Sequence, residues 1–526
     1  MEDQLISETP RPEKIQKRTV QEYIDETPIW SDGTESPNTP MTPMQWRIWA
    51  LATAGKFFEG LVVFMTGIAL PLMVEEFALS ALQKGAVGAA TLFGILVGAT
   101  TLGGLSDYFG RKRMFIVEMA IFSLCLMLMV FSPNFLWLLV FLFAMGLALG
   151  CDYPTAHMVI SESIPSKDRG KLVLSAFGFQ AIGALVGTAV GYAILCGNPQ
   201  VQAWRWMYAT AIIPSLLVLA GRFFIPDSGH WLVSRGMVAK AEEEVGRLLK
   251  RTPRYPKKII LANPPGGAAP SHAGRSHYGM LFSRKYRRAT ILASVPWFLQ
   301  DLATYGIGIF TPTILASVIG AKIQYAHNLA DIIHNDILAA KGAAFIDLLL
   351  LVGILGAVLL ADKIGRMRLQ IFGFVGCAAG LFLASLSLGS GGETGVILLF
   401  VGFMTFSFMT NLGPNAMTYL IAGEVFPTHI RGKGAGFAAS FAKIGAVLTA
   451  FLFPVLLADM GTAPLLYILT GTSLLGGVVT WVFSIETRGM SLEKVGHEPA
   501  SSGREQPEPR RAPVGSLKPF SNPTST

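Results

Sequence analysis

The stretch Glu162-Ser-Ile-Pro-Ser-Lys-Asp-Arg-Gly-Lys171 occurs a second time as Glu424-Val-Phe-Pro-Thr-His-Ile-Arg-Gly-Lys433. The glutamate, proline, arginine, glycine and lysine keep the same order and spacing in both copies. Each copy is a short basic connection between two apolar segments. The repeat therefore indicates that the chain contains two homologous halves, each built from apolar segments.

The similarity between the halves extends beyond this stretch. Upstream, Asp107-Tyr-Phe-Gly-Arg-Lys112 corresponds to Asp362-Lys-Ile-Gly-Arg366. The matching residues are mostly charged or glycine and keep their order, so a duplication explains them better than chance similarity does. Downstream, the residues that recur at the same offset are Phe179, Ile182, Gly183 and Ala184, which match Phe441, Ile444, Gly445 and Ala446.

The composition indicates a membrane protein. The 526 residues are 52 % hydrophobic and only 14 % charged, whereas about a quarter of the residues of a soluble domain are charged. A helix needs about 20 apolar residues to cross the hydrocarbon core. We therefore predict an all-α membrane protein with twelve transmembrane helices in two pseudo-symmetric six-helix bundles. The predicted spans are 47–75, 85–106, 113–131, 134–160, 171–195 and 203–225, then 289–316, 342–361, 367–388, 393–422, 432–458 and 462–484.

The distribution of Lys and Arg predicts the orientation of the chain. Basic residues concentrate in the loops after spans 2, 4 and 8, whereas the loops near 131–134, 389–393 and 459–462 contain none. Short cytoplasmic loops carry the positive excess, so both termini are expected on the cytoplasmic side of a plasma or inner membrane. The net charge of +8 is thus a topology signal, and no nucleic-acid partner is expected.

The chain is expected to divide into five parts. A polar N-terminal tail (1–45) and a Pro- and Ser-rich C-terminal tail (487–526) are expected to be disordered and cytoplasmic. The first bundle occupies 46–226 and the second 289–486. They are joined by a cytoplasmic linker, 227–288, which contains a charge-rich amphipathic segment.

No cofactor or metal is expected. The four cysteines form no CxxC pair, so neither a disulfide framework nor a zinc site is indicated. His327, Asp331 and His334 fall at helical spacing and could bind a metal, but the polar face of a short external helix explains them better. A Walker-type phosphate-binding loop does not occur, so ATP-driven transport by this chain is not supported.

Several of these motifs resemble those of a known family. Leu105-Ser-Asp-Tyr-Phe-Gly-Arg-Lys112 resembles the loop signature of the major facilitator superfamily, and the resemblance covers about 46–490. Cys151-Asp-Tyr-Pro154 and Gly413-Pro-Asn-Ala416, each followed by a copy of the repeat, resemble the proton-coupled phosphate symporters of fungi and plants. The ending Ile485-Glu-Thr-Arg-Gly-Met-Ser-Leu492 is also similar to sugar and organic-acid symporters. The resemblance implies two bundles that face each other across a substrate site.

Charged residues at the ends of the spans form the expected gate. Asp107 can pair with arginines and with the positive ends of neighbouring helices, and Arg111 with Lys112 can hold the cytoplasmic face closed. The alternative is that these basic residues are only topology anchors. The expected gating residues are Asp107, Arg111, Lys112, Glu162 and Arg169 in the first half, and Asp362, Arg366, Glu424 and Arg431 in the second.

Span 7 carries the strongest candidate site. Trp297, Asp301 and Tyr305 are spaced four apart and therefore share one helix face. That face is expected to turn away from lipid, because an ionisable residue in hydrocarbon is costly. The resemblance makes these three residues substrate ligands and lets Asp301 carry the coupling proton. The alternative is that the two aromatic residues form an interface belt and Asp301 a buried pair.

Spans 4, 5, 10 and 11 supply the other expected ligands. The resemblance makes Tyr153, Gln180 and Asn415 substrate ligands, the latter two through uncharged hydrogen-bonding groups. Lys443 adds a positive charge within span 11. This lysine either binds an anionic substrate or only neutralises Asp301, and the sequence leaves both readings open.

Carboxylates in spans 1 and 4 are expected to serve proton coupling. The resemblance makes Asp152 a proton-route residue. Glu59 stands where the symporters carry an aspartate, so a titratable group is kept while its geometry changes. His157 is either a proton relay or a hydrogen-bonded packing residue. For Glu118 and Asp347, structural pairing is the default expectation.

Together these features predict a proton-coupled secondary transporter, and exclude an assembled enzyme active site. The expected partners are protons, a small polar solute that is expected to be anionic, and the lipid bilayer. Inorganic phosphate is the best single substrate, with a sugar or a small organic acid as the alternative, and a transporter-like nutrient receptor as a third reading. The chain is expected to function as a monomer by alternating access.

The predicted topology can be tested by cysteine labelling from outside the cell. A membrane-impermeant thiol reagent is expected to label a cysteine placed at Gly391 and to leave one placed at Ala268 unmodified, because the two positions lie on opposite sides of the predicted membrane. The reverse labelling pattern would contradict the assignment.

Overall fold

A computed structural model describes residues 17–27, 40–102, 105–251, 258–262, 278–320, 329–387, 389 and 392–485. The described part is helical apart from one isolated bridge between Arg18 and Leu261. The helices of the first half and the linker are α1 (Val20–Asp25), α2 (Pro43–Phe77), α3 (Ala81–Val97, continued by a π-helical turn Gly98–Leu102), α4 (Leu105–Phe109), α5 (Arg111–Val130), α6 (Phe135–Ser163), α7 (Arg169–Gly197), α8 (Ala203–Ala209), α9 (Ile212–Phe223), α10 (Gly229–Ser234) and α11 (Val238–Leu248).

The second half repeats this plan. After a 3₁₀ turn at Tyr278–Phe282 come α12 (Arg287–Gly320), α13 (Leu329–Ile364), α14 (Arg366–Leu386), α15 (Gly392–Leu412), α16 (Pro414–Glu424), α17 (Thr428–Met460) and α18 (Thr462–Val482).

The predicted fold class is confirmed. Eleven helical segments of the described chain are long and apolar enough to cross a membrane. The one predicted span outside this set is the seventh, 289–316. It corresponds to α12, which has 34 residues but carries Gln300, Asp301 and Thr304, so its described part is less apolar. Two spans are broken where the sequence predicted continuous helices. The sixth divides into α8 and α9, and the tenth divides at Gly413, where Pro414 begins α16 and cannot donate a backbone hydrogen bond.

Two glycines at equivalent places in the halves explain part of the repeated motif. Gly110 has φ +95° and immediately precedes α5, and Gly365 has φ +101° and immediately precedes α14. An L-residue with a side chain is strained in this region, whereas glycine adopts it freely. The glycine thus lets the chain turn so that Arg111 or Arg366 begins the next helix.

The halves pack closely through small residues. The first half is held by α2 against α7 and by α3 against α6, and the halves meet where α2 contacts α12, α3 contacts α17 and α7 contacts α13. A Cβ atom at Gly67 would lie 2.3 Å from the Ile309 carbonyl oxygen, and one at Gly85 would lie 2.2 Å from that of Phe451. Both contacts join the two halves, so the helices approach backbone to backbone there.

We call the end of the molecule that carries the repeated basic loops the basic face and the other end the opposite face. Gly67 and Gly85 lie toward the opposite face, because α2 ends and α3 begins there. The close approach at these glycines therefore closes the opposite face in this structure.

The N-terminal tail is partly structured, which corrects the expectation that all of 1–45 is disordered. Helix α1 buries Val20, Tyr23 and Ile24 against the linker helices and the ends of nearby spans. Asp25 accepts hydrogen bonds from the Ser166 backbone N–H at 2.7 Å and from its hydroxyl at 2.8 Å. These apolar contacts hold the helix in place, and the polar composition of the tail gave no sign of them. The amphipathic segment predicted in the linker corresponds to α11.

We predict that Gly110→Ala destabilises the protein by about 1–2 kcal/mol, because alanine is strained at positive φ. The added Cβ would also lie 3.2 Å from the Trp231 ring. Gly170→Ala is the control, since nothing lies within 4 Å of its added Cβ. Thermal unfolding in detergent measures both, and equal midpoints for the two variants would contradict the argument.

Candidate functional site

A lysine of the second half links buried carboxylates from both halves. The Lys443 ammonium on α17 lies 3.2 Å from Asp301 Oδ2 on α12 and 3.4 Å from Glu59 Oε1 on α2. It also donates to the Tyr305 hydroxyl at 2.7 Å. Asp301 and Glu59 are 2 % and 4 % exposed, so water contributes little to their stabilisation. The lysine therefore compensates two buried negative charges at the junction of the halves.

Lys56 is a second cation in this group, and the sequence analysis did not select it. Its ammonium lies 2.5 Å from Glu59 Oε2, and 4.0 Å above the centre of the Tyr153 ring. The signal was present, because a lysine three residues before a glutamate in an apolar span can form an ion pair on one helix face. Lys56, Lys443, Glu59 and Asp301, here called the central charge cluster, contain two positive and two negative groups.

Hydrogen bonds connect this cluster to two predicted ligands. Tyr305 donates to Glu59 Oε1 at 3.0 Å, and Gln180 donates to the Tyr305 oxygen at 2.9 Å. The Gln180 amide nitrogen also lies 3.4 Å from Glu59 Oε1. Gln180 is on α7 and Tyr305 on α12, so these bonds again cross between the halves. The structure thus brings Glu59, Gln180, Asp301, Tyr305 and Lys443 into one network.

Trp297 and Tyr153 lie at the edge of the cluster toward the basic face. Together with Asp301, Tyr305, Gln180, Asn415 and Lys443 they line a cavity of about 20 Å³. Tyr419 of α16, which the sequence analysis did not select, stacks on Phe177 of α7 with ring centres 4.6 Å apart and contacts Trp297 edge-on. These aromatic rings close the cavity toward the basic face, and its volume suits a water molecule.

Uncharged polar groups line a neighbouring cavity, also of about 20 Å³. Asn415 donates to Asn411 Oδ1 at 2.6 Å, and Asn411 donates to the Leu350 carbonyl at 2.8 Å. The hydroxyls of Thr304 and Thr410 lie 2.9 Å apart. Asn411, Thr304 and Thr410 were missed because single polar residues within apolar spans carry no distinguishing pattern.

Asp152 is paired with an arginine that the sequence did not indicate. Arg222, at the end of α9, is fully buried and donates to Asp152 Oδ1 at 2.6 Å and to the Phe115 carbonyl at 2.6 Å. A Cβ at Gly55 would lie 1.8 Å from Asp152 Oδ2, so the glycine makes room for the carboxylate. Asp152 therefore lies outside the hydrogen-bonded cluster around Lys443.

Glu118 lies close to this pair. It accepts hydrogen bonds from Thr155 at 2.9 Å and from the Cys151 thiol at 3.0 Å, and its second oxygen has no hydrogen-bond partner. Glu118 was expected to be paired with neighbouring groups, and the structure shows hydrogen bonds to only one of its carboxylate oxygens.

His157 faces a cavity of about 30 Å³ that is also lined by Lys56, Glu59, Asp152 and Tyr153. The cavity joins the central charge cluster to the Asp152 region.

In the first half, three of the residues expected to form a gate are joined by ion pairs. Arg111 lies 2.5 Å from Asp107 Oδ1 and 3.1 Å from Glu162 Oε1. Glu162 also accepts a hydrogen bond from the Ser228 hydroxyl. Nearby, outside the membrane spans, burial lowers the pKa of His230. The linker therefore takes part in the charge network at the basic face.

The other described residues that were expected to form the gate do not all form ion pairs. In the second half, Arg366 lies 3.2 Å from Glu424. Arg169 donates to Gln21 of α1 at 3.0 Å, and in the described part of the chain no ion pair includes Lys112. The side chains of Asp362, Arg431 and Asp331, and all of His327, lie outside the described residues. His334 is described and exposed.

We predict that Arg222→Met destabilises the protein by about 3–5 kcal/mol, because it leaves Asp152 buried without its cation. Adding Asp152→Asn is expected to restore part of the loss. Arg247→Met is the control, because Arg247 pairs with Glu244 on the surface and such pairs contribute about 1 kcal/mol at most. Thermal unfolding of the wild type and these three variants gives the comparison, and equal losses for Arg222→Met and Arg247→Met would contradict it.

Comparison with known proteins identifies the family. A family model described as "Sugar (and other) transporter" matches residues 41–498. The Escherichia coli protein described as putative metabolite transport protein YaaU is 28 % identical over 446 residues, which cover 85 % of this chain and 93 % of the relative. A putative inorganic phosphate transporter of Schizosaccharomyces pombe is 25 % identical, over 86 % of this chain and 88 % of the relative.

Solved structures show the same fold. The proton:xylose symporter XylE aligns with a TM-score of 0.66 and 19 % identity, over 86 % of this chain and 98 % of that one. Its partially occluded, inward-open form from Escherichia coli aligns with the same TM-score and covers 100 % of that chain. The matched model spans most of the chain, and the helices follow the same architecture. The chain therefore belongs to the sugar (and other) transporter family of the major facilitator superfamily, and is a multi-pass integral membrane transporter of small molecules.

Proposed function

We propose that this protein is a proton-coupled symporter of a small polar anion, with inorganic phosphate as the representative substrate. The observation that carries the proposal is the position of Lys443, 3.2 Å from Asp301 and 3.4 Å from Glu59 across the junction of the halves. A cation held by carboxylates is available to an anion only when a carboxylate loses its charge. Protonation of Asp301 or Glu59 would therefore prepare Lys443 to bind substrate.

Charge counting supports coupled loading. The central charge cluster contains Lys56 and Lys443 with Glu59 and Asp301, so it is neutral when all four groups are ionised. One proton gives it a single positive charge, and one monovalent anion restores neutrality. Either ligand alone leaves a net charge among buried groups, which is costly in a low-dielectric environment. Proton and anion are thus favoured together, which is the thermodynamic requirement for symport.

Substrate access requires the halves to separate. The cavities around the cluster have the volume of a water molecule, so this closed form leaves no room there for a solute such as phosphate. Glycine contacts close the opposite face, and Tyr419 with Phe177 closes the path toward the basic face. Alternate opening of these two barriers would expose the cluster to each side in turn. We assign the basic face to the cytoplasm from its loops.

A sugar is the second candidate substrate. The amides of Gln180, Asn411 and Asn415 and the hydroxyl of Thr304 line one cavity beside the cluster, and such uncharged groups suit the hydroxyls of a sugar. The related proteins support both candidates, since one is described as a putative phosphate transporter and the aligned structures are of a xylose symporter. The charge count favours the anion, because a proton with a neutral sugar leaves the cluster positively charged.

We predict that Asp301→Asn abolishes proton-driven accumulation while exchange of substrate for substrate continues. Asparagine keeps the size of the side chain but cannot release a proton. The protein is reconstituted in vesicles, and uptake of labelled phosphate, xylose and a small carboxylate is measured at pH 5.5 and 7.5 with and without an uncoupler. Accumulation by Asp301→Asn with the pH dependence of the wild type would contradict the role of Asp301.

Two roles are possible for Lys443: it binds the anion, or it only neutralises Asp301. Phosphate binding is measured in four proteins to distinguish them: the wild type, Asp301→Asn, Lys443→Ala and the double variant. If Lys443 binds the anion, both proteins with Lys443→Ala lose phosphate affinity. If it only neutralises Asp301, the double variant binds better than Lys443→Ala, because no lone buried charge remains.

Saturable uptake of xylose without phosphate uptake would favour the second candidate substrate.

A further inference from the structure

A carboxyl group outside the central charge cluster lies between the halves without a cation. Asp347 of α13 is 6 % exposed, and its Oδ2 has no hydrogen-bond partner. Its side chain interacts with the hydroxyl of Thr188 on α7, which is 1 % exposed. No ion pair of the described residues includes Asp347. Asp301, Glu59 and Asp152 each contact a lysine or arginine, whereas within the described chain Asp347, like Glu118 of the first half, does not.

Asp347 lies between the proposed substrate site and the opposite face. Thr188 follows Gln180 by two turns of α7, which is about 12 Å, and α7 runs from the basic face to the opposite face. Leu350 and Ile354, on the same face of α13 as Asp347, line the cavity that contains Gln180 and Tyr305. Asp347 thus lies about one turn beyond that cavity.

The titratable groups of the surrounding helices leave Asp347 uncompensated. Its own helix carries the exposed Lys341, and the helices that contact α13 carry Lys56 on α2 and Lys171 on α7. No ion pair of the described residues joins any of these cations to Asp347. Within the described part of the chain, the side-chain group that interacts with Asp347 is the Thr188 hydroxyl. The two lysines of the central charge cluster are held by Glu59 and Asp301.

Asp336, three turns farther toward the opposite face on the same side of α13, provides a contrast. It is 3 % exposed and neither carboxyl oxygen has a hydrogen-bond partner. It does experience the charge of Lys84 on α3, in the other half. Among the described residues, no such cation acts on Asp347.

We propose that Asp347 makes closure of the opposite face proton-dependent. α7 and α13 belong to different halves, so separation of the halves at the opposite face parts Asp347 from Thr188 and admits water to the carboxyl. In water the carboxylate is stable at neutral pH. When the face closes, the carboxylate takes one proton from water and is buried as the neutral acid, because an uncompensated charge would be left between the halves. On reopening, the same proton returns to water.

Proton linkage gives the size of the effect. If the closed form holds one more proton than the open form, the ratio of open to closed molecules rises by up to about tenfold for each unit of pH. Low pH therefore favours the closed opposite face. Other groups contribute their own pH dependence, so the quantity of interest is the difference between wild type and a variant that cannot titrate at position 347.

The test measures the opening of the opposite face without substrate. Spin labels are attached to cysteines at Leu82 on α3 and Met460 on α17, two exposed positions in different halves, in full-length protein carrying Cys196→Ser to remove the exposed native thiol. Distance distributions are recorded between pH 5.5 and 7.5. The wild type is expected to shift toward the longer distance by tenfold or more in population ratio as the pH rises.

Asp347→Asn is neutral at every pH and is expected to stay closed, so its population ratio should change at least fivefold less than that of the wild type. Asp347→Ser serves as a second neutral variant if the asparagine form folds poorly. The matched control is Asp459→Asn, which alters an exposed carboxyl at the same face and should keep the wild-type response. An unchanged pH response in both Asp347 variants would overturn the proposal.

The role of this switch in transport rests on the proposed proton symport, whereas the distance measurement does not. Loss of the pH response in Asp347→Asn together with uptake that needs no proton gradient would retain the switch and reject symport. Proton-driven uptake with a normal pH response in Asp347→Asn would retain symport and reject the switch.

Discussion

The structure depends on the compensation of charge within a hydrocarbon-embedded bundle. Lys443 lies between Asp301 of its own half and Glu59 of the other half, and Lys56 neutralises the second oxygen of Glu59. Leaving any one of these groups unpaired costs several kcal/mol. The cluster therefore links the two halves through ion pairs. Under the proposed mechanism, the same side chains would bind the proton and the anion.

The sequence predicted the features that depend on neighbouring residues in the chain. The length of a membrane span is set by the bilayer, so the twelve spans could be read from apolar runs, and the repeat of Glu162 to Lys171 revealed the two halves. The face formed by Trp297, Asp301 and Tyr305 follows from helical spacing alone. The family resemblance added Gln180 and Asn415, which spacing could not select.

Contacts between distant segments were not predictable in the same way. Arg222 looks like an ordinary basic residue at the end of a span, and only the fold brings it to Asp152. The break at Gly413 and the packing of Val20 and Ile24 likewise depend on tertiary contacts. The positive φ of Gly110 and Gly365 explains their place in the repeat, but a single sequence does not distinguish a required glycine from a tolerated one.

The packing of α1 has a consequence for the order of assembly during synthesis. Hydrogen bonds join this helix to Ser166, Arg169 and Ile260, which all precede α12 in the chain. Protein domains generally fold in order of emergence from the ribosome. These contacts of α1 on the basic face can thus form before the second bundle is made. The second bundle is then added to a first bundle whose basic face is already partly covered.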